Sequence, residues 1–151
     1  MKKRIFEFTC PHCGASFFLC RDTYLVREEK GAEYQRLRDG TFFVHQCQSC
    51  KKLFDLEYPL IYKDPVRGFL IINSQSRPEG LKGQCILTRN TRQFLEAFSI
   101  LDAGARLMDV LPIKKRLEAL KKTACSFSGY DEKSGMVWFD CRGELVGVKL
   151  K

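Results

Sequence analysis

Short runs of hydrophobic residues, each bounded by turn residues, recur along the chain and predict a protein with many strands. The runs in the first part of the chain are residues 17–26, 53–62, 68–73 and 84–88. After residue 123, three further runs predict an antiparallel β-meander with strands 124–130, 136–141 and 145–150. Proline and glycine between residues 74 and 82 predict a loop there.

A short helix is predicted between the first two of these runs, residues 17–26 and 53–62. Apolar residues spaced three or four positions apart favour a helix over residues 28–38, with Tyr34 and Leu37 on one face. Gly40 then supplies the stop, because glycine readily takes the left-handed conformation that ends a helix.

Two longer helices are predicted in the middle of the chain. Either Asn90 or Thr91 can cap the first, and its apolar face contains Phe94, Leu95, Phe98 and Leu101. The second is expected over residues 106–122, where Pro112 either kinks the helix or restarts it. Its apolar stripe consists of Val110, Ile113, Leu117 and Leu120.

Two Cys-x-x-Cys motifs carry the clearest chemical signal. Cys10 and Cys13 form the first, and Cys47 and Cys50 repeat its spacing. In both motifs one phenylalanine lies four residues before the first cysteine and another lies four residues after the second. Each pair is therefore predicted to lie in a tight turn between strands. Because two such turns can surround one Zn²⁺ with four thiolates, we expect these cysteines to bind a single structural zinc ion.

A redox centre at Cys10 and Cys13 is the alternative interpretation of the first motif. A catalytic pair of the thioredoxin type begins a helix that follows a strand. Residues 14–19 continue here as a strand, which favours the metal site. The 33 residues between Cys13 and Cys47 exceed the roughly 15–20 of an ordinary zinc ribbon, so we expect the insert to carry its own structure.

The residue that follows each cysteine pair bears on the shape of its turn. Gly14 suits a position where the backbone needs a positive φ. Lys51 holds the matching place in the second motif. Because lysine has a Cβ, the second turn is expected to be strained or to adjust its backbone.

Four motifs in a fixed order extend the pattern beyond the cysteines: Cys10-Pro11-His12-Cys13-Gly14, Asp39-Gly40-Thr41-Phe42, Cys47-Gln48-Ser49-Cys50 and Tyr58-Pro59-Leu60-Ile61-Tyr62. In order and spacing they resemble the CpXC family of bacterial and archaeal proteins, over most of residues 5–120. The resemblance implies two Cys-x-x-Cys knuckles on an α+β body and no known activity. The second knuckle departs from the family's Cys-Pro-x-Cys pattern, because Gln48 replaces proline and Lys51 replaces glycine.

The predicted elements together define an α+β fold. Residues 1–75 are expected to form a zinc-ribbon-like antiparallel β region with the short helical insert. Residues 76–151 are expected to contain the helix pair and the C-terminal β-meander. The two regions are predicted to form one compact unit.

Two further cysteines and both histidines are weighed as additional ligands. Cys20 could exchange with a ligand, but a half-buried strand cysteine is the simpler interpretation, and Cys85 is expected in the core. His12 lies between two ligands and is expected to point away from the metal. His45 could replace a cysteine, but four thiolates already fill the shell, so we expect it to support the site from outside.

The last two cysteines are predicted to meet across the meander. A turn centred on Lys133 sets Phe127 across from Phe139 and Cys125 across from Cys141. Directly opposed side chains are ~4.5–5.5 Å apart at Cβ, which is wide for an unstrained disulfide. We therefore expect Cys125 and Cys141 to be neighbouring, reduced and buried.

Basic residues exceed acidic ones, and the chain has a formal net charge of +8. The excess is larger in residues 65–151 than in residues 1–64, which contain the cysteine motifs. Its densest cluster lies within residues 113–122 of the predicted helix and comprises Lys114, Lys115, Arg116, Lys121 and Lys122. A solvated helix face is the simpler interpretation of this cluster, and nucleic-acid binding is the alternative.

No enzyme motif is found in the sequence, which lacks a P-loop, a dinucleotide fingerprint and a His-Glu-x-x-His sequence. A catalytic zinc keeps a position open for water, whereas four cysteines close the shell. We therefore expect the protein not to be an enzyme.

The location and partner follow from composition. No run approaches the ~18 apolar residues of a membrane helix, and the segment after Met1-Lys2-Lys3-Arg4 is too short and polar for a signal peptide. Eight cysteines without a membrane or export signal predict a cytoplasmic, zinc-binding protein. The expected function is a non-catalytic module that binds another protein. The alternatives are a nucleic-acid-binding zinc ribbon and a thiol redox protein that uses Cys10 and Cys13.

Overall fold

The computed structural model describes residues 3–76 and 84–150 and shows a mixed α+β fold. Most of the loop predicted at residues 74–82 lies outside the described residues. The chain divides into two compact units, Met1–Leu95 and Glu96–Lys151. The sequence places a boundary after residue 75 instead, and that division into functional regions stays a prediction.

The first unit is built from short strands and one short helix. Two antiparallel hairpins, β1–β2 and β4–β5, lie beside a four-stranded sheet of order β3-β6-β7-β8. The elements are β1 (Lys3–Thr9), β2 (Ser16–Asp22), β3 (Tyr24–Val26), α1 (Ala32–Asp39), β4 (Val44–Gln46), β5 (Leu53–Asp55), β6 (Leu60–Asp64), β7 (Phe69–Asn73) and β8 (Gln84–Thr88).

Two predicted strands are each divided between two sheets. The run 17–26 breaks at Thr23, because β2 pairs with β1 whereas β3 pairs in parallel with β6. The run 53–62 breaks before Leu60 in the same way, and Pro59 in the gap cannot donate to a ladder. A hydrophobic run alone does not reveal such a change of partner.

The helical insert is confirmed, although it begins later than predicted. Helix α1 buries Tyr34 and Leu37 on one face, as the spacing indicates. Gly40 ends it with φ 79°, and its N–H donates to the carbonyl of Leu37. Burying each of these side chains stabilises the fold by about 2 kcal/mol.

Aromatic rings fill the centre of the first unit. Phe43 packs against Tyr58 and Phe94, with ring centroids 5.4 and 5.6 Å apart. Thr91 fixes the start of the helix that carries Phe94, because its hydroxyl donates to the Leu56 carbonyl at 2.6 Å. These contacts connect the segment after the second cysteine motif to the next helix.

One ion pair is enclosed in the same unit. The Asp64 carboxylate is fully buried and accepts a hydrogen bond from Arg27 at 2.9 Å. Its second oxygen accepts from the backbone N–H of Arg67 at 2.9 Å. Asp64 therefore links Arg27, which follows β3, to the turn between β6 and β7.

Helix α2 (Thr91–Asp102) begins in the first unit and ends in the second. Of the two predicted caps, Asn90 is the one used, since its Oδ1 accepts from the N–H of Gln93 at 2.9 Å. Helix α3 (Leu107–Lys121) follows and continues through Pro112 without restarting. No helix in residues 3–76 or 84–150 is long and apolar enough to cross a membrane.

The second unit packs α3 against an antiparallel sheet of order β11-β10-β9, which confirms the predicted meander. The strands are β9 (Ser126–Asp131), β10 (Met136–Cys141) and β11 (Glu144–Lys149). The core of this unit consists of Ile100, Ala105, Val110, Leu117, Cys125, Val137, Phe139 and Cys141. Leu120 was expected in the apolar stripe, but it is 76% exposed because the helix ends one residue later.

The predicted register of the β9–β10 hairpin is correct at the end away from its turn. Phe127 lies opposite Phe139, and a β-bulge between Trp138 and Phe139 shifts the remaining pairs by one residue. Cys125 and Cys141 are free, buried in the same core and close enough for a hydrogen bond between their side chains. The expectation of neighbouring reduced thiols is confirmed.

Candidate metal centre

The first knuckle is the tight turn that joins β1 to β2. The N–H of Cys10 donates to the Ala15 carbonyl, and the N–H of Gly14 donates to the Cys10 carbonyl, both at 2.9 Å. Gly14 has φ 77°, which confirms the predicted positive φ. The amide of His12 also donates to Cys10 Sγ at 3.4 Å. The turn thus directs backbone N–H groups toward the sulfur.

The second knuckle, between β4 and β5, repeats this geometry. The N–H of Cys47 donates to the Lys52 carbonyl at 3.0 Å, and the N–H of Lys51 donates to the Cys47 carbonyl at 2.8 Å. Lys51 takes φ 66°, a left-handed conformation that costs a residue with a Cβ about 1 kcal/mol. The Gln46 side chain donates to the Lys51 carbonyl at 3.0 Å and supports the turn.

The two knuckles bring the four sulfur atoms together. Cys10 Sγ lies 3.7 Å from Cys50 Sγ, and Cys13 Sγ lies 3.7 Å from Cys47 Sγ. All four sulfurs lie within 4.8 Å of one another. A tetrahedron with Zn–S bonds of ~2.3 Å has an edge of about 3.8 Å, so the donor set fits such an ion. The group could hold a metal ion, as the repeated spacing predicts.

The surroundings of Cys47 favour its thiolate form. Its sulfur accepts a hydrogen bond from the backbone N–H of Cys50, which lowers the pKa of Cys47 to about 6. The Ala15 amide acts in the same direction on Cys13, but desolvation and hydrogen bonds with the neighbouring thiols outweigh it and raise the pKa of Cys13 to about 11.

Neither histidine belongs to the sulfur cluster. His12 turns away from it, and its Nε2 makes a hydrogen bond with the Leu53 carbonyl at 3.2 Å. His45 stacks on Phe17 with a centroid distance of 5.0 Å, and burial lowers its pKa. Each imidazole therefore contacts the surroundings of the cluster rather than its sulfurs. The spacing of residues in the sequence did not identify the two contact partners, Leu53 and Phe17.

The phenylalanines that flank the two motifs also meet. Phe17, after the first knuckle, lies 6.0 Å from Phe54, after the second, measured between ring centroids. The Phe17 ring also contacts Phe8 at 5.9 Å. This apolar contact lies beside the cysteines and joins the two hairpins, so the repeated Phe positions contribute to the shape of the site.

Two of the remaining cysteine predictions are wrong. Cys20 was expected to be half-buried, and Cys85 was expected in the core, but both are exposed. Cys20 lies on the outer face of the two-stranded β1–β2 sheet, opposite Ile5. Cys85 lies on β8, an outer strand of its sheet. Both strands are apolar in sequence but only one of their faces is covered.

The basic cluster on helix α3 is partly neutralised by acidic side chains. Lys114 forms an ion pair with Glu96, and Lys121 lies 3.2 Å from a carboxylate oxygen of Glu144. Two of the five clustered cations therefore already have acidic partners inside the second unit. The remaining cluster consists of Lys115, Arg116 and Lys122.

The fold and the cysteine cluster define a small α+β protein with a candidate metal centre. The model of the CpXC protein family matches residues 26–96, and this match confirms the resemblance seen in the sequence. The matched segment contains Cys47 and Cys50, whereas Cys10 and Cys13 precede it. No curated protein and no solved structure matches the chain. The family match and the cluster together indicate a metal-binding protein.

Proposed function

We propose that Cys10, Cys13, Cys47 and Cys50 bind one structural Zn²⁺ ion. The observation that carries this proposal is the convergence of four sulfurs from two equivalent turns. Thiolate ligands in a tetrahedral arrangement suit Zn²⁺. Because four protein ligands complete the shell, the ion would have no open position for water or substrate. Its contribution would therefore be stability rather than catalysis.

The hairpins that carry the cysteines explain why a metal would be needed. Both are two-stranded, and β4 and β5 contain three residues each. An isolated hairpin of this kind is marginally stable in water. A structural zinc ion supplies ~10–16 kcal/mol of binding free energy in small peptides, and this energy becomes folding energy.

The proposed role of the whole chain is a non-catalytic, cytoplasmic module that binds another protein. A closed metal shell supports a non-catalytic role. Cys20, Cys125, Cys141 and the four clustered cysteines carry free thiols, in keeping with a reducing compartment. The β1–β2 and β4–β5 hairpins, which carry the cysteine motifs, also expose the large apolar side chains of Ile5, Phe18 and Leu53. Large exposed apolar side chains are available for contact with another protein.

Cobalt substitution tests the metal site. The protein is refolded with Co²⁺ in place of Zn²⁺, and its visible spectrum is recorded during titration. We expect saturation at one Co²⁺ per chain, with strong tetrahedral d–d bands and sulfur-to-cobalt charge-transfer bands. Cys47→Ser should abolish this spectrum, whereas Cys20→Ser, at an exposed cysteine outside the cluster, should leave it unchanged. Weak octahedral bands, or an unchanged spectrum in Cys47→Ser, would refute the site.

A further inference from the structure

A groove of about 330 Å³ lies between strand β2 and the second knuckle. One side of the groove is formed by Ala15 and by residues of β2, including Phe17 and Phe18. Its other side is formed by His45 and the knuckle residues Cys47, Gln48 and Ser49. The groove is thus bordered by a strand edge and reaches Cys47, one of the four clustered cysteines.

The edge of β2 that borders this groove is open. Among the described residues, β2 pairs only with β1, in a two-stranded sheet. The hydrogen bond from Cys10 to Ala15 fixes which pairs of the ladder are hydrogen-bonded. Because bonded and non-bonded pairs alternate, the backbone N–H and C=O groups of Ser16, Phe18 and Cys20 point away from β1. The groups of Ser16 and Phe18 form a template for another strand, whereas the Cys20 carbonyl already accepts a hydrogen bond from Arg21.

The groove offers a distinct chemistry at each of its surfaces. The stacked rings of Phe17 and His45 provide an aromatic surface, and the Phe18 side chain is 68% exposed on the opposite face of the strand. None of the residues that line the groove is acidic. Arg21 donates to the Cys20 carbonyl at 2.9 Å, which places a positive charge on the open edge of β2.

We propose that an acidic, extended segment of another protein binds in this groove as an added strand beside β2. Its backbone would pair with the outward-pointing groups of Ser16 and Phe18. Alternate side chains would contact the aromatic rings on either face of β2, and an acidic side chain would pair with Arg21. Strand addition of this kind obtains affinity from main-chain hydrogen bonds and specificity from alternate side chains.

The proposal rests on the proposed role in protein binding and specifies the class of partner. Arg21 selects an acidic side chain at its own end of β2, whereas Cys47 and the aromatic rings line the knuckle end of the groove. A nucleic acid would not provide the regular alternation of N–H and C=O groups that the β2 edge requires.

A peptide library provides a defined probe. Random linear peptides of about twelve residues, long enough for one strand, are displayed on phage and selected on the full-length zinc-loaded chain. The selected peptide is then synthesised, and its affinity is measured by fluorescence anisotropy. We expect acidic peptides with alternating apolar residues to be enriched. If no peptide is enriched, or if only basic peptides are enriched, the proposal is overturned.

Two proline variants locate the binding edge. Phe18→Pro removes an outward-pointing N–H and should weaken the selected peptide about tenfold or more, since a hydrogen bond and a close approach are lost. Glu7→Pro is the matched control, because Glu7 lies directly opposite Phe18 and faces the other edge of the hairpin. It should leave the affinity unchanged. Equal affinity in both variants and the wild-type protein would place the peptide elsewhere.

Hydrogen exchange measured on the wild-type protein locates the binding edge without relying on the folding of the two proline variants. The amides of Ser16 and Phe18 should become protected when the selected peptide binds, while the amide of Glu7 should continue to exchange rapidly. Protection at the β1 edge, or self-association of the chain through β2 seen by sedimentation, would contradict the proposal. Zinc content is measured on the same sample. Bound zinc with unprotected β2 amides would reject the groove alone, whereas missing zinc would reject the metal site.

Discussion

His12 Nε2 makes a 3.2 Å hydrogen bond with the backbone carbonyl of Leu53, which joins the first knuckle to the strand that leaves the second. This contact spans the cysteine cluster without contributing a ligand. It shows how a histidine between two cysteines of the candidate metal centre can support that centre without binding an ion. The imidazole is therefore one link between the two turns that carry the sulfurs.

Replacing His12 with alanine should therefore loosen the site without emptying it. The bond is exposed, so its loss should cost about 0.5–1 kcal/mol. We expect one metal ion per chain to remain bound and its transfer to a competing chelator to become a few-fold faster. Arg142→Ala, far along the sequence in the last turn, is a control for general loosening. Complete loss of metal in His12→Ala would indicate that His12 is a ligand.

The backbone at the end of each knuckle gives a second prediction. Gly14 and Lys51 occupy equivalent positions with φ 77° and φ 66°. Gly14→Ala should destabilise the protein by about 1 kcal/mol through backbone strain alone, because nothing lies within 4 Å of the added Cβ. Lys51→Gly should relieve the corresponding strain and stabilise by about 0.5 kcal/mol, after the entropy cost of glycine. Urea unfolding measures both changes, and equal destabilisation by both variants would contradict this account.

The buried ion pair gives a third prediction. Asp64→Asn should lower the free energy of unfolding by about 3 kcal/mol, since it removes the carboxylate that faces the largely buried Arg27. Glu29→Gln is the matched control, because Glu29 also pairs with Arg27 at 3.0 Å but is exposed. It should change stability by less than about 0.5 kcal/mol. Similar effects for the two variants would show that burial does not determine the strength of the pair.

Cysteine reactivity gives a fourth prediction. Burial raises the pKa of Cys125 to about 11, from an ordinary value near 9. At pH 8 the thiolate fraction of Cys125 should then be lower than that of an ordinary cysteine by about a hundredfold. Iodoacetamide should modify the exposed Cys20 and Cys85 and spare Cys125 and Cys141, as read by mass spectrometry of the native protein. Rapid modification of Cys125 would show that the meander core opens readily.

Features that depend on local sequence were predictable. The spacing of the cysteines and the phenylalanines identified both knuckles, and the spacing of Tyr34 and Leu37 identified the buried face of α1. Gly14 indicated a positive φ for the same local reason. The strands β8 and β10 have the predicted bounds, because each is an apolar run with clear turn residues on both sides.

Features that depend on distant partners were not predictable. The parallel pairing of β3 with β6 joins residues far apart in sequence and divides two continuous apolar runs. Cys20 was expected to be half-buried and Cys85 to lie in the core, but both are exposed because their strands have one uncovered face. Leu120 follows the helical spacing, yet α3 ends beside it and leaves it exposed. In each case the sequence pattern predicts the secondary-structure element, whereas the burial of a side chain depends on its neighbours in the folded chain.

Metal analysis of the full-length protein, purified without added zinc, tests the central claim most directly. Elemental mass spectrometry should find one zinc ion per chain, bound by Cys10, Cys13, Cys47 and Cys50. Its removal by a chelator should increase hydrogen exchange in residues 3–55 before it affects the meander, because the two hairpins depend on the metal. Less than half an equivalent of metal, together with a Cys10–Cys13 disulfide that reduces and reoxidises reversibly, would contradict the account and identify the first knuckle as a redox centre.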